Sequence, residues 1–515
     1  MSPKEPGLTP AEVRELGDRW GIRVTPAEAD ALASRVADRL ADDLEQVYDI
    51  PVPTESADTG GRSWSEGTDE YNAIATACDI PPTPDHDGLL EGMTIGLKDI
   101  IRVADVPMQC GSEAMRGYLP SSDATVVTRL RKAGGRITAK TTLDEFAGGG
   151  RGHTSRGLVL NPRDSNRIAG GSSGGSGAAV AADLVDLALG TDTGGSTRKP
   201  AAFCGIIGLK PTYGLVPLTG VVENTYTLDH VGIIARTVDD TAKGLEALAG
   251  RDPADPASMA AAGRDTYTST SYVDAVADPP ALADFTLGVA SQGLSDDIHE
   301  HIADHYRAAV DYLSETDATL ERVDLPYLDQ IKHVKNIISY SELAAFWRAR
   351  GHSFRRPGWD IAFDQTSFAR HTAEATGELN PFYRSRMLAG AHLHDAHAGQ
   401  HYARARAARV TAREELSAVL EDIDAILTPT VPDPAPTIDE VRDPDFDYDG
   451  LRSQFGYGRY TKIANVTGTP ALTIPIAEST SPAVGLQLIG SWFDEARLLA
   501  AGKRLQSTVA DAHPD

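Results

Sequence analysis

The stretch from Gly170 to Pro200 decides how this chain of 515 residues is interpreted. It reads GGSSGGSG at residues 170–177, continues through the apolar run AAVAADLVDLALG, and ends in TDTGGSTRKP at residues 191–200. Two serines, Ser172 and Ser196, therefore lie in glycine-rich turns on either side of a small-residue helix. A serine hydroxyl becomes a useful nucleophile when a base stands beside it. The stretch thus directs attention to a base elsewhere in the chain.

A lysine in an apolar setting is the candidate for that base. Lys98 belongs to TIGLKD at residues 94–99, where its apolar neighbours predict burial. Burial disfavours the ammonium form and lowers the pKa of a lysine from its usual value of about 10.4. Two turn serines and a buried lysine can together supply a nucleophile, a proton relay and a base. The residues therefore predict an acyl-transfer hydrolase.

Composition sets the broad class of protein. The hydrophobic fraction of 41% is ordinary for a globular chain, and no run reaches the roughly 18 apolar residues that a membrane helix needs. The first residues contain no apolar signal-peptide core. The three cysteines, Cys78, Cys110 and Cys204, have neither metal-ligand spacing nor a disulfide pattern. We expect a cytoplasmic enzyme without a structural metal.

The charge of the chain leads to a prediction about salt. The formal net charge is −26, and only 11 of the 48 basic residues are lysine. Acid-rich, lysine-poor surfaces suit high salt, because ions screen the self-repulsion of the folded chain. We hypothesise a halophilic protein, and expect its melting temperature to rise when thermal melts move from low salt to molar KCl. A melting temperature that does not change with salt would contradict this hypothesis.

The N-terminal region reads as a separate helical extension. The sequence TPAE occurs at residues 9–12 and again at residues 25–28. Each copy predicts a capping box with proline at the first helical position. A stretch rich in Pro, Ser and Gly at residues 51–70 predicts a linker. We assign residues 1–80 to this extension and linker, and expect the extension to mediate dimerisation.

Short apolar strands alternate with helices after about residue 88, which predicts an α/β sheet in a main domain of residues 81–515. Residues 275–400 read as more helical and carry no recognisable motif. The predicted strands are Met93–Leu97, Arg136–Ala139, Ala425–Thr428, Ala471–Pro475 and Gly485–Ile489. The predicted helices are Ala124–Ala133, Ser176–Ala182 and Asp494–Gln506.

An ordered set of motifs resembles the amidase signature family. Ser172 and Ser196 are 24 positions apart, as in the serine pair of that family. The resemblance implies an α/β fold in which a large mixed sheet is flanked by helices. The motifs are GLKD at 96–99, the turn at 170–179, GGSTRKP at 194–200, AAFCG at 201–205, GLKPT at 208–212, LDHVG at 228–232, TPT at 428–430, NVTG at 465–468 and GLQ at 485–487.

The resemblance also implies roles for individual residues. It makes Ser196 the nucleophile, Ser172 a bridging serine that follows a cis peptide bond, and Lys98 the base. It implies no metal and no organic cofactor. The remaining implied roles are an oxyanion hole formed by Thr193, Gly194, Gly195 and Ser196, with loop support from Asp192, Arg198 and Ser173.

A different catalytic arrangement also fits part of the sequence. Residues 171–175 match the pattern G-x-S-x-G, the nucleophile elbow of α/β-hydrolases. That interpretation would make Ser173 the nucleophile and would need a later histidine, for which His230 is a candidate. The motif around His230 favours a packing role instead. Cys204 lies in an apolar run and is expected to be buried and inert.

Within the family, the N-terminal extension and the segment DVPMQCGS at residues 105–112 resemble enantioselective amidases that accompany nitrile hydratases. We therefore expect a stand-alone hydrolase that converts a carboxamide to a carboxylate and ammonia through an acyl-enzyme. The alternative is the glutamine-hydrolysing A-type component of a tRNA-dependent amidotransferase. The expected partners are a small-molecule amide and a second copy of the chain, with no membrane. The acidic charge also disfavours a nucleic-acid partner.

Overall fold

The computed structural model describes residues 8–48, 61–148, 154–262, 271–351, 368–371, 379–443, 456–476 and 481–512. By their contacts, residues 1–55 and residues 56–515 form two compact units. The larger unit contains all of the motifs that carry the resemblance to the amidase signature family.

The smaller unit contains two helices, α1 (Pro10–Trp20) and α2 (Pro26–Tyr48), each beginning at the predicted proline. The capping box at α1 is complete, because the Thr9 hydroxyl and the Glu12 carboxylate each accept a hydrogen bond from the backbone N–H of the other residue. The box at α2 is half formed. The Glu28 carboxylate accepts from the Thr25 N–H at 3.0 Å, whereas the Glu28 N–H donates to the Thr25 carbonyl oxygen.

The larger unit alternates strands and helices, as predicted. Its strands are β1 (Ser63–Glu66), β2 (Ile74–Ile80), β3 (Thr94–Lys98), β4 (Arg136–Thr141), β5 (Leu160–Asn161), β6 (Asp164–Ile168), β7 (Leu187–Thr191), β8 (Ile207–Lys210), β9 (Val231–Ala235), β10 (Thr286–Ala290), β11 (Thr319–Val323), β12 (Ala425–Pro429), β13 (Ala471–Pro475) and β14 (Gly485–Ile489). Its helices are α3 (Thr125–Lys132), α4 (Gly174–Ala181), α5 (Arg198–Cys204), α6 (Val238–Leu248), α7 (Pro256–Ala262), α8 (Tyr272–Ala277), α9 (Glu300–Ser314), α10 (Leu328–Arg348), α11 (Pro381–His397), α12 (Gln400–Val419), α13 (Ile438–Arg442), α14 (Lys462–Thr467) and α15 (Glu495–Ala512).

One large mixed sheet organises this unit, and the predicted fold class is confirmed. Twelve of the described strands pair in the order β1-β2-β4-β3-β7-β9-β8-β13-β14-β12-β10-β11. β3 runs parallel to both β4 and β7, whereas β7 and β9 are antiparallel. β7 and β9 are buried on both faces, because their sequences LALGT and VGIIA are apolar or small at every position but the last of β7.

An edge strand occupies part of the predicted linker. Ser63–Glu66 pairs antiparallel with β2 over four residues, although all four are exposed. Its sequence, SWSE, lacks the apolar alternation by which a strand is recognised, so only the pairing with β2 reveals it. Residues 51–60 of the predicted linker lie outside the described residues. β2 also falls within the predicted extension and linker of residues 1–80, although it belongs to the large sheet. The smaller unit therefore ends at residue 55, earlier than the predicted boundary at residue 80.

The sheet brings the catalytic motifs to one edge. β3 ends at Lys98 and β7 ends at Thr191, and the two strands are parallel with Leu97 beside Leu189. Their carboxyl ends therefore meet at the same edge of the sheet. The helix α4 packs closely against this edge. A Cβ atom on Gly175 would lie 2.4 Å from the Thr142 nitrogen, so the small side chain permits the close approach.

Candidate active site

Lys98 is fully buried at the end of β3 and contacts two hydroxyls. Its Nζ lies 2.8 Å from Ser172 Oγ and 2.7 Å from Thr191 Oγ1. Burial lowers the pKa of Lys98 to about 7, and the nearby carboxylates, of which Asp144 is the strongest, limit the decrease. A lysine with this pKa is substantially neutral at physiological pH and can accept a proton.

Ser172 and Ser196 line one pocket. The Gly171–Ser172 peptide bond is cis. The turn that holds Ser172 is tied to the loop that holds Ser196, because the Ser173 N–H donates to the Ser196 carbonyl oxygen at 3.2 Å. In the described structure no hydrogen bond joins the two serine hydroxyls. Catalytic hydrogen bonds often tighten only when substrate is bound, so this geometry is compatible with a relay between them.

The loop that precedes the nucleophile candidate is a tight turn. Gly195 has a φ of +106°, a conformation that favours glycine, and its N–H donates to Asp192 Oδ1 at 2.7 Å. The N–H groups of Thr193, Gly194 and Ser196 have no acceptor among the described residues, and these three residues line the pocket. They are therefore suitable donors for a developing oxyanion.

A buried ion pair holds this loop. Arg198 donates from Nε and Nη2 to the two carboxylate oxygens of Asp192, each at 3.0 Å, and both side chains are fully buried. Burial would raise the pKa of Asp192, but the Arg198 guanidinium outweighs it and holds that pKa well below its usual value. Arg198 also donates to Gln487 and Asn465, so two distant motifs anchor the loop. The pair lies behind the loop rather than in the pocket.

This geometry predicts that Arg198→Lys destabilises the protein. A lysine cannot reproduce the planar fork, so the variant leaves Asp192 incompletely paired in a fully buried site. We expect the free energy of unfolding to fall by about 3 kcal/mol or more, measured in urea. The matched control is Arg116→Lys in an exposed pair with Glu113, for which we expect a change within about 0.5 kcal/mol. Similar losses in both variants would contradict the prediction.

The residues of the competing arrangement lie away from the pocket. Ser173 is fully buried, and its hydroxyl bonds to the backbone N and O of Thr191, each at 3.2 Å. His230 Nδ1 lies 2.7 Å from the Leu228 carbonyl oxygen, and burial lowers the pKa of His230 well below its usual value. The geometry therefore does not favour a nucleophile elbow with Ser173 as the nucleophile and His230 as its base. Burial raises the pKa of Cys204 to about 12, which leaves its thiol protonated.

Several residues at the site were not among the predicted site residues. Thr191 lies within the quoted stretch TDTGGSTRKP, but its contact with Lys98 was not predicted. Asp229, within the quoted motif LDHVG, accepts from the Thr193 hydroxyl at 2.6 Å. Four basic residues also line the pocket: Lys199, Lys335, Arg386 and Lys462. Lys199 belongs to the quoted motif GGSTRKP. The other three lie outside the quoted motifs, so no local pattern predicted them.

The described part of the chain contains no group of three or more His, Cys, Asp or Glu side chains arranged to hold a metal ion. None of its helices is both long enough and apolar enough to cross a membrane.

A neutral lysine that can activate a serine, close to backbone N–H groups that can bind an oxyanion, is typical of the active site of an acyl-transfer hydrolase. A model of the family described as Amidase matches residues 67–499. The A-type component of the glutamyl-tRNA(Gln) amidotransferase from Natronomonas pharaonis is 36% identical over 440 residues, which cover 84% of this chain and 99% of that relative.

Solved structures of related proteins also align with this chain. The A-type component of the Thermotoga maritima glutamyl-tRNA(Gln) amidotransferase aligns with a TM-score of 0.65 and 30% identity, covering 81% of this chain and 83% of that one. Native peptide amidase from Stenotrophomonas maltophilia aligns with a TM-score of 0.62 and 29% identity, covering 81% and 82%. The chain belongs to the amidase family and is an enzyme that acts on carbon–nitrogen bonds.

The comparison corrects the prediction about partners. We expected a small-molecule amide, a homodimer and no nucleic acid. The relative from Natronomonas pharaonis is instead named as one component of an enzyme of glutamyl-tRNA(Gln). The expectation of a homodimer that acts on a small amide without any link to a nucleic acid is therefore wrong. It depended on the acidic charge and on the N-terminal helices, and neither feature reports on the composition of an assembly.

Proposed function

We propose that this chain hydrolyses the side-chain amide of glutamine, as the A-type component of a tRNA-dependent amidotransferase. The observation that carries this proposal is the 36% identity to such a component over 99% of its length. The contact between Lys98 and Ser172 at the pocket supplies the catalytic base that the reaction needs. The product ammonia would pass to a partner protein.

The reaction would proceed through an acyl-enzyme. Neutral Lys98 takes the proton of Ser172, and Ser172 takes that of Ser196 as its Oγ attacks the amide carbon. The N–H groups of Gly194 and Ser196, with that of Thr193, stabilise the negative oxygen. The Gly195 N–H, which we also predicted for this role, is engaged by Asp192 in this structure. The relay then returns a proton to the leaving nitrogen, and water releases the carboxylate.

Ammonia release tests the proposal. The purified chain is incubated with glutamine, first alone and then with the other components of a tRNA-dependent amidotransferase together with charged glutamyl-tRNA. We expect glutamine turnover that increases when the partners and the tRNA are added. Turnover of glutamine that is absent under both conditions would refute the proposal. The variant Ser196→Ala is the blank for contaminating glutaminase.

A second candidate function is stand-alone hydrolysis of small amides in the cytoplasm. The alignment with a peptide amidase favours it, as does the pair of capped helices that precede the matched residues 67–499. This function predicts ammonia from aliphatic or aryl amides by the chain alone. Rates with such amides that exceed the glutamine rate, and that do not respond to partner proteins, would select it over the first candidate.

A further inference from the structure

A second pocket lies apart from the catalytic one. Its volume is about 210 Å³, and no described residue lines both pockets. Its walls are largely apolar, because they include three alanines of α7 and the rings of Tyr213, Trp492 and Phe493. A cavity of about 150 Å³ is large enough to hold benzene. The second pocket therefore has room for an aromatic ring that carries a small substituent.

Hydrogen bonds to two of the quoted motifs hold the aromatic wall of this pocket in place. Trp492 Nε1 donates to the carbonyl oxygen of Thr467, in NVTG, at 3.1 Å. The Phe493 N–H donates to Oγ1 of Thr212, in GLKPT, at 2.9 Å. Both threonines also line the pocket. The wall is therefore ordered before a ligand enters, which lowers the entropic cost of binding.

Arg409 of α12 supplies a positive charge to the lining. Its side chain is half-buried, and burial lowers the pKa of its guanidinium. Among the described residues, Arg409 has neither a hydrogen bond nor an ion pair. Glu342, whose negative charge opposes the decrease in pKa, is itself engaged by the hydroxyls of Thr227 at 2.9 Å and Tyr402 at 2.6 Å. Arg409 is therefore a partly desolvated cation without an anion in contact.

A second arginine of α12 joins the charged side of the pocket to its aromatic wall. Arg413 follows Arg409 by four residues, so the two side chains lie on the same face of the helix. The Arg413 guanidinium lies over the Trp492 ring, 4.9 Å from its centroid. The described lining contains no aspartate or glutamate, although the chain as a whole has a net charge of −26. The pocket thus combines an apolar, aromatic interior with a local positive charge.

We propose that this second pocket binds a small aromatic carboxylate. The ring of the ligand lies against Trp492 and Phe493, and its carboxylate accepts hydrogen bonds from Arg409. A carboxylate matches the planar fork of a guanidinium and carries the single negative charge that one guanidinium neutralises. The proposal concerns binding outside the catalytic pocket and does not depend on the proposed function.

Two ligands of similar size test the proposal on the full-length protein. Phenylacetate carries the ring and the carboxylate, whereas 2-phenylethanol carries the ring and a neutral hydroxyl. We expect isothermal titration calorimetry to show saturable one-to-one binding of phenylacetate, with a Kd at least about tenfold lower than that of 2-phenylethanol, because a hydrogen bond to a charged group is stronger than one between neutral groups. Equal Kd values for the two ligands, or no saturable binding of phenylacetate, would overturn the proposal.

Variants locate the ligand within the molecule. Arg409→Gln should raise the Kd of phenylacetate about tenfold or more and leave that of 2-phenylethanol unchanged. The matched control is Arg404→Gln, which changes an exposed arginine of the same helix outside the lining and should keep the wild-type Kd. Ala260→Phe fills the pocket from an exposed position of α7 and should weaken the binding of both ligands.

A variant of the catalytic pocket separates the two sites. Lys335 lines the catalytic pocket, so Lys335→Gln should leave the Kd of phenylacetate unchanged. If Lys335→Gln weakens binding and Arg409→Gln does not, phenylacetate occupies the catalytic pocket and the proposal is wrong. An unchanged Kd in both Arg409→Gln and Ala260→Phe would also contradict it.

Discussion

Replacing Ser196 by alanine is expected to lower amide turnover by roughly four to six orders of magnitude, because no acyl-enzyme can form. Ser196 is the serine of the glycine-rich loop that has backbone donors facing the same pocket. Mass spectrometry after incubation with a slowly hydrolysed acyl donor should find the wild-type adduct on Ser196 and no adduct on the variant. Ammonia release measures the residual rate.

Neighbouring serines provide the controls for this prediction. Ser173→Ala should still be acylated, because the Ser173 hydroxyl is buried against the backbone of Thr191. Ser172→Ala should lose turnover by orders of magnitude, and adding Ser196→Ala should cost little more, because the residues act as one unit. An adduct on Ser173 in the wild-type protein would overturn the assignment in favour of the nucleophile elbow.

Replacing Lys98 by methionine is expected to lower turnover by several orders of magnitude without lowering stability. The base is lost, but so is a buried amine that opposes folding. The pKa of Lys98 is about 7 in the folded protein, against about 10.5 in the unfolded chain. The unfolded chain therefore binds the proton more tightly, and the free energy of unfolding of the wild type declines as pH falls from about 10.5 to about 7. Urea melts of both proteins at pH 7 and pH 10 should show this pH dependence to be weaker in the variant. A variant markedly less stable than the wild type at pH 7 would contradict the prediction.

The same pKa sets the pH dependence of the reaction. Lys98 must be neutral to accept a proton, so kcat/KM should rise with pH and level off above an apparent pKa of about 7. A profile that stays flat between pH 5.5 and 9 would show that Lys98 is not the base.

Local sequence predicted some of the elements around the motifs. The strands Ala471–Pro475 and Gly485–Ile489 occur with their predicted bounds, and β3 begins and ends one residue later than predicted. These strands are short apolar runs bounded by glycine or proline, so their pattern depends little on distant contacts. Nine of the described strands were not predicted: β1, β2 and β5 to β11. The sequence of β11 is TLERV, mostly exposed, and it becomes a strand because β10 pairs with it at the edge of the sheet.

The sequence by itself determined the family and the fold class, and it predicted Lys98, Ser172 and Ser196 as the catalytic residues, because glycine-rich turns and an apolar lysine segment are local patterns with a chemical meaning. Only the tertiary structure decided what surrounds them. Parallel pairing of β3 with β7 put Thr191 against Lys98. Packing of three helices put the lysines at positions 199, 335 and 462 into one pocket. Such convergence of residues more than 250 positions apart is a property of the folded chain, since no local pattern records which distant side chains will share a cavity.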